Sequence, residues 1–174
     1  NDINAVGYSP SGTDSSLTGT NALHVVMADQ WVDRATLDGF TITGGDAASE
    51  SGAGMYNSYS TNLTLRNINF VNNHADLPGG GLFNDGSSPV LTNVRFVANT
   101  ASQGGGLYNT ANSHAELTDV VFSGNQANYG GAMANAASNP ILINVTFENN
   151  QAVIGGGGIY NYLSQPVLRN ITFA

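Results

Sequence analysis

The feature that most constrains this chain is a period of about 26 residues. Phenylalanine recurs at Phe70, Phe96, Phe122, Phe147 and Phe173, with spacings of 26, 26, 25 and 26. Ile42 takes the same place 28 residues before Phe70. A fixed period of this length is typical of solenoids, propellers and arrays, in which each repeat packs mainly against its neighbours.

Other residue types keep a fixed place relative to the phenylalanine. Valine or isoleucine stands two residues before it, leucine five before it and alanine five after it. Asparagine recurs in three positions. The first lies three residues before the phenylalanine (Asn67, Asn93, Asn144 and Asn170, with Asp119 in one repeat), the second three after it (Asn73, Asn99, Asn125 and Asn150), and the third follows the glycines (Asn57, Asn84, Asn109, Asn135 and Asn161).

These spacings predict strands rather than helices. Val94 and Phe96 are two residues apart and share one face of a strand, whereas Leu91 and Val94 are three apart, so the chain must bend near Asn93. Each repeat then holds three short strands. Two corners join the strands, and a glycine-rich segment leads into the third strand. We therefore predict an all-β fold, a single right-handed parallel β-helix of about 25–26 residues per coil, with the hand taken from the preference of parallel crossovers.

The same pattern predicts how the chain is divided. Residues 37–174 hold the regular repeats, and residues 1–36 are expected to form irregular N-terminal coils of the same solenoid, without a second domain. Coils stacked about 4.8 Å apart place each repeat position over its equivalents. The five phenylalanines then form an inward stack, and the three asparagine positions form hydrogen-bonded ladders.

Asp119 and the paired glycines lead to two further predictions about local structure. Asp119 replaces asparagine in the first ladder, and its carboxylate is expected to accept hydrogen bonds from both Asn93 and Asn144. The paired glycines are expected to supply positive φ angles and tight turns.

Two tetrads connect the repeats with a known family. "GGGL", "GGAM" and "GGGI" precede the third strand, and "FVNN", "FVAN", "FSGN" and "FENN" close the second. In these tetrads the chain resembles the chlamydial polymorphic outer-membrane protein repeats, over roughly Leu37 to Ala174. The resemblance implies a secreted or surface-displayed β-helix with an adhesive or structural role, and it carries no catalytic residues.

The net charge of the chain limits the kinds of partner that it is expected to bind. The net charge is −8, there is no lysine, and the basic residues are Arg34, Arg66, Arg95 and Arg169. Such a surface repels nucleic acid and anionic membranes, so neither is an expected partner. No apolar run approaches the length that spans a membrane, and the absence of cysteine is compatible with an extracellular location. Because the chain opens on Asn1, we expect a processed or excised piece.

Candidate catalytic and metal-binding groups are sparse. Parallel β-helices include polysaccharide lyases and hydrolases, which need clustered carboxylates with a basic residue or calcium. The acids here rarely share a repeat position, and Asp38 and Arg66, which do, are expected to form an exposed ion pair. The three histidines have no zinc-ligand spacing. We predict no catalytic residue and no cofactor; calcium near Asp46 and Glu50 is the one cation candidate.

An aromatic column is the best recognition candidate. Tyr56, Phe83, Tyr108 and Tyr160 each follow an inward aliphatic residue, so their rings should point outward, with Ala134 interrupting the series. Such a stripe could lie against sugar rings or a flat partner. The competing interpretation is that the rings only cover one another.

The sequence therefore favours a non-enzymatic, extracellular or cell-surface structural or adhesive module. The alternative is a carbohydrate-binding or polysaccharide-degrading β-helix domain. The chain closes directly after Phe173 without a polar cap, which predicts either a longer parent solenoid or end-to-end association of copies into a filament. Glycans or the surface of a host or neighbouring cell are the other expected partners.

Overall fold

The structure, a computed structural model, describes residues 22–29, 34–60 and 62–174. The N-terminal coils expected over 1–36 lie mostly outside these residues, and that division of the chain stays a prediction. The described residues form strands and turns, and they contain no helix long and apolar enough to cross a membrane.

The strands follow one another in six coils. The first two coils hold β1 (Val26–Asp29), β2 (Thr36–Asp38), β3 (Thr41–Thr43) and β4 (Asp46–Ala47), then β5 (Met55–Ser58), β6 (Thr64–Arg66), β7 (Asn69–Val71) and β8 (His74–Ala75). The third and fourth hold β9 (Leu82–Asp85), β10 (Val90–Thr92) and β11 (Arg95–Val97), then β12 (Leu107–Thr110), β13 (Glu116–Thr118), β14 (Val121–Ser123) and β15 (Gln126–Tyr129). The last two hold β16 (Met133–Ala136), β17 (Ile141–Glu148) and β18 (Gln151–Gly155), then β19 (Ile159–Tyr162) and β20 (Val167–Phe173).

Every pairing between these strands is parallel, and the predicted solenoid is confirmed. One sheet runs β1-β5-β9-β12-β16-β19, and a ten-stranded sheet leads from β2 and β3 to β20. Two small sheets, β4-β8 and β15-β18, lie on the third side. Equivalent residues face each other in register, as Phe96 faces Phe70 on one side and Phe122 on the other.

The core is a set of columns along the solenoid axis. The rings of Phe70, Phe96, Phe122, Phe147 and Phe173 stack with centroids 4.7–5.0 Å apart and planes within 12° of parallel. Leucine and valine columns flank this stack, and the first four rings are almost completely buried. Offset stacking of aromatic rings adds to the free energy gained from their burial.

The corner before each phenylalanine explains its asparagine. Asn67, Asn93, Asp119, Asn144 and Asn170 have φ between 53° and 56°. Among residues with a Cβ, asparagine and aspartate tolerate this left-handed conformation best. In the first coil Gly39, with φ 80°, takes the same place.

The glycines serve two purposes, and the expectation of positive φ holds for one of them. One glycine of each glycine-rich segment has a positive φ, from 58° at Gly104 to 78° at Gly79. The later ones lack a Cβ because the next coil is too close. A Cβ on Gly81 would lie 2.6 Å from the carbonyl oxygen of Gly106 and 2.9 Å from the Phe96 ring.

The aromatic stack generates a stability prediction. Replacing Phe122 with alanine should lower the free energy of unfolding by about 3–5 kcal/mol, because the ring is fully buried between two others. Ser123→Ala, on the outer face of the same strand, is the control and should change it by less than about 0.5 kcal/mol. Urea unfolding measures both; a loss below about 1 kcal/mol for Phe122→Ala would contradict the stack's energetic role.

Candidate functional site

The inner ladder consists of Asn73, Asn99, Asn125 and Asn150, and its two central members, Asn99 and Asn125, use all four hydrogen-bonding positions of their amides. Asn99 Oδ1 accepts from the backbone N–H of Asn73 at 3.1 Å and from Asn73 Nδ2 at 3.0 Å. Asn99 Nδ2 donates to the carbonyl of Phe70 at 2.9 Å and to Asn125 Oδ1 at 3.0 Å. A buried amide satisfied in this way stabilises the fold, and one left unpaired would destabilise it.

The second buried ladder follows the glycines, and its amides also donate towards the C-terminal coil. It runs Asn57, Asn84, Asn109, Asn135 and Asn161, with links of 2.8–2.9 Å. It begins at Asn57 because Ala28 occupies the equivalent place in the first coil. Among the described residues, Asn57 Oδ1 is the buried side-chain atom left without a hydrogen-bond partner.

The outer ladder is exposed, and its amides donate in the opposite direction. Asn93 Nδ2 donates to Asn67 Oδ1 at 2.6 Å, and Asn144 Nδ2 donates to Asp119 Oδ1 at 2.9 Å. The expectation that Asp119 accepts from both neighbours is therefore wrong. Asn93 has already committed its amide to Asn67, and Asp119 has no amide to offer Asn93, so the ladder is interrupted at that step.

Two further columns escaped the sequence analysis. In the first, the backbone N–H of each serine donates to the hydroxyl of the next, through Ser60, Ser87, Ser113, Ser138 and Ser164, at 3.0–3.1 Å. The neighbouring column is exposed and mixed, with Ser88, His114, Asn139 and Gln165 in sequence. The sequence pattern that indicates the serine column is a serine three or four residues after the third asparagine of each repeat.

The outward aromatic column forms a second stack. Tyr56, Phe83 and Tyr108 lie with centroids 5.4 and 5.7 Å apart and nearly parallel planes. Their faces cover one another, so mainly the ring edges point outward. Burial raises the pKa of the Tyr108 hydroxyl, and a hydrogen bond with the Thr110 side chain acts in the opposite direction.

Rings outside the aromatic column contact it at both ends, and the column itself lacks a ring at Ala134. Ala134 is fully buried although it lies on the outer face. The ring of Tyr129 lies 4.9 Å from that of Tyr160, tilted by 43°. At the other end His24 lies 5.2 Å from Tyr56. Whether this stripe recognises a partner stays a prediction.

Outside the ladders, polar side chains of the described residues form a local cluster around His74. His74 Nδ1 lies 2.7 Å from Thr100 Oγ1, and His74 Nε2 lies 3.1 Å from Asp76 Oδ1. The cluster resembles a nucleophile, a base and an orienting acid, but the side chains of His74 and Asp76 are more than half exposed. In the described part of the chain, no three histidine or acidic side chains form a metal-binding group.

Two other predicted contacts are placed by the structure. Asp38 and Arg66 face each other in register, but the expected ion pair between them is not formed in the described residues. Instead, Asp38 Oδ1 accepts a hydrogen bond of 2.6 Å from Asn67 Nδ2. Asp46 and Glu50 are both exposed, with Asp46 opposite His74, and calcium there stays a prediction.

The last coil differs from the others because its core positions are open on one side. Phe147 is 2% exposed and Phe173 is 59% exposed, although their rings stack. Leu142 is fully buried, whereas the equivalent Leu168 is 44% exposed. The C-terminal coil therefore presents an apolar rim, where β19 and β20 each pair on one side with another strand of the described residues.

Comparison with known proteins identifies the fold family. A family model described as a right handed beta helix region matches residues 13–174. The chain belongs to this family. No curated protein and no solved structure matches the chain significantly.

The two kinds of ladder predict different costs for the same substitution. Asn99→Asp removes two donors and buries a carboxylate, so it should lower the free energy of unfolding by at least about 3 kcal/mol. Asn93→Asp makes the same change on the exposed outer ladder and should cost about 1 kcal/mol or less. Equal costs in urea unfolding would contradict the distinction between the two ladders.

The missing hydrogen bond at Asp119 predicts a substitution that stabilises the protein. Asp119→Asn supplies an amide that can donate to Asn93 Oδ1 and keeps the left-handed corner, so the protein should gain about 0.5–1 kcal/mol of stability. Asn144→Asp is the matched control: it removes a link and places two carboxylates in adjacent coils, so stability should fall. Thermal unfolding of both variants measures the difference, and a destabilised Asp119→Asn would contradict the direction assigned to this ladder.

Proposed function

We propose that this right-handed β-helix is a non-enzymatic structural or adhesive module that works outside the cell. The main observation behind this proposal is that the recurring interior amides form hydrogen bonds between coils. Asn99, for example, uses all four of its hydrogen-bonding positions in this way. Interior columns of this kind hold a rod rigid along its whole length. A rigid rod suits a protein that bears load or displays a surface.

The outer face of the largest sheet supports an adhesive role. Its outward positions are mostly short and uncharged, as at Thr92, Thr118 and Val121, and they repeat at the spacing of the coils. The few charges, such as Arg95 and Glu116, are isolated among them. A flat surface with low charge suits contact with glycans or with the surface of a neighbouring cell rather than with a polyelectrolyte.

The extracellular assignment is supported by the tetrads. The GGxI and FxxN patterns resemble repeats of surface-displayed bacterial proteins, and the net charge of −8 disfavours nucleic acid as a partner. Attachment to a longer solenoid or to other copies is compatible with the open rim around Phe173.

The location and the lack of turnover are tested together. Antibody against the chain should label intact, unpermeabilised cells that produce it, and the purified chain should release no product from a panel of plant, algal and bacterial polysaccharides. Heat-denatured chain is the control for non-specific effects. Labelling that appears only after permeabilisation would overturn the location, and release of oligosaccharides by the folded chain would overturn the non-enzymatic assignment.

The aromatic column supports a second candidate, a carbohydrate-binding domain. Tyr56, Tyr108 and Tyr160 offer hydroxyls beside the apolar ring edges, a combination that suits sugars. On a glycan array, Tyr108→Ala should then abolish any binding, while Gln151→Ala, exposed in the small sheet on the third side of the solenoid, leaves it intact. If both variants bind as well as the parent, the column has no part in recognition.

A further inference from the structure

The exposed cluster of His74, Asp76 and Thr100 lies next to a carboxamide of the following coil. Thr100 and Gln126 are partners in an isolated parallel bridge, so their side chains leave adjacent coils on the same outer face. His74 lies on the other side of Thr100, also in register. The threonine hydroxyl therefore belongs to a position between a histidine and a glutamine.

Backbone hydrogen bonds hold this row of positions in place. The N–H of Gln126 donates to the carbonyl of Asn99 at 2.9 Å, and the N–H of Ala101 donates to the carbonyl of Gln126 at 3.1 Å. Asn99 directly precedes the threonine and Asn125 directly precedes the glutamine, and their buried amides are bonded at 3.0 Å in the inner ladder. The ladder therefore fixes the register of the hydroxyl and the carboxamide.

The hydrogen bonds of His74 define its tautomer. Its Nε2 lies 3.1 Å from Asp76 Oδ1, and an ionised carboxylate can only accept, so Nε2 carries the proton. In the neutral ring Nδ1 is then an acceptor, and it lies 2.7 Å from Thr100 Oγ1. The Thr100 hydroxyl therefore donates to a base that a carboxylate orients, which is the arrangement that activates a hydroxyl nucleophile.

We propose that Thr100 and Gln126 form an intramolecular ester that ties two adjacent coils together covalently. Thr100 Oγ1 attacks Cδ of Gln126 while His74 Nδ1 takes the hydroxyl proton, and Asp76 stabilises the imidazolium that forms. The tetrahedral adduct then expels its nitrogen as ammonia, which leaves with the proton from His74. An Oγ1–Cδ bond replaces the Cδ–Nε2 bond of the glutamine, and no oxidant or further reactant is consumed.

The exposure of the cluster is compatible with this reaction because it occurs once in each molecule. The side chains of His74 and Asp76 are more than half exposed, which is unfavourable for repeated turnover of a bound substrate. Here the nucleophile and the acyl group occupy neighbouring positions of one fold, and well-oriented groups of this kind reach effective concentrations of about 10⁵ M or more. A slow single event is sufficient for a lasting link.

The ester lies on the side of the solenoid where the strand ladder is interrupted. The third coil contributes isolated bridges at Thr100 and Gln103 there, between the small sheets β4-β8 and β15-β18. A covalent bond across this step supplements the few hydrogen bonds that join the coils on that side. The inference deepens the proposed structural role, although its chemistry does not depend on where the protein is located.

Mass measurement and fragmentation test the ester directly. The purified, denatured chain should weigh less than its sequence requires by one ammonia, about 17 Da. Glutamyl endopeptidase cleaves after Glu116, between Thr100 and Gln126, so the fragments 51–116 and 117–148 should stay joined. Mild alkali, which hydrolyses an ester faster than an amide, should release them. A parent chain of full mass whose fragments separate without alkali would overturn the proposal.

Substitutions in the cluster assign the roles. Thr100→Val removes the nucleophile and Gln126→Glu removes the leaving nitrogen, so both variants should keep their full mass, whereas Thr100→Ser should still lose ammonia. Asp76→Asn should lower the linked fraction at a fixed time after synthesis by at least about 10-fold, because it no longer holds the tautomer of His74. Loss of ammonia from Thr100→Val would overturn the assignment of the hydroxyl.

The chain contains a matched control pair without the base. Thr41 and Asn69 are also register partners with outward side chains, and in the described residues no histidine is hydrogen-bonded to Thr41. Cleavage after Glu50 separates them, and the fragments 1–50 and 51–116 should come apart without alkali. A link between these two fragments would overturn the role of His74. A parent chain without the ester would leave the tests of location and polysaccharide turnover unaffected.

Discussion

The rest of the structure depends on the demand of a buried amide for four hydrogen bonds. Asn99 meets that demand with groups of its own repeat position and of the neighbouring backbone, so the adjoining coils must lie in one register. Once that register is fixed, Phe70 and Phe122 are placed over and under Phe96. The polar columns therefore specify the alignment, and the apolar columns supply most of the favourable free energy.

Columns differ in how much variation they tolerate, and the difference follows from exposure. The outer ladder carries an aspartate at Asp119 because its oxygens remain in water and lose little when one link is missing. The inner ladder has asparagine at each of its four positions, where a carboxylate would be buried without enough donors. The aromatic columns show a similar adjustment, since the Tyr129 ring packs beside Tyr160 near the position that Ala134 leaves without a ring.

Most of the fold could be predicted because one coil is repeated with nearly constant spacing. The parity of Leu91, Val94 and Phe96 was enough to place strands and corners, and the asparagine spacing was enough to predict ladders. The serine column was missed because its offset from asparagine changes between three and four residues. The ion pair of Asp38 with Arg66 was wrong because a neighbouring amide competes for the carboxylate.

The columns also make the length of the molecule adjustable. Inserting or deleting one residue within a strand would shift every inward side chain to the other face. Inserting or deleting a whole coil would leave each asparagine opposite another and change the rod by about 4.8 Å. A gene segment that encodes one coil can therefore be duplicated or deleted as a unit. Duplication lengthens such a protein by one coil at a time and keeps the packing of its interior.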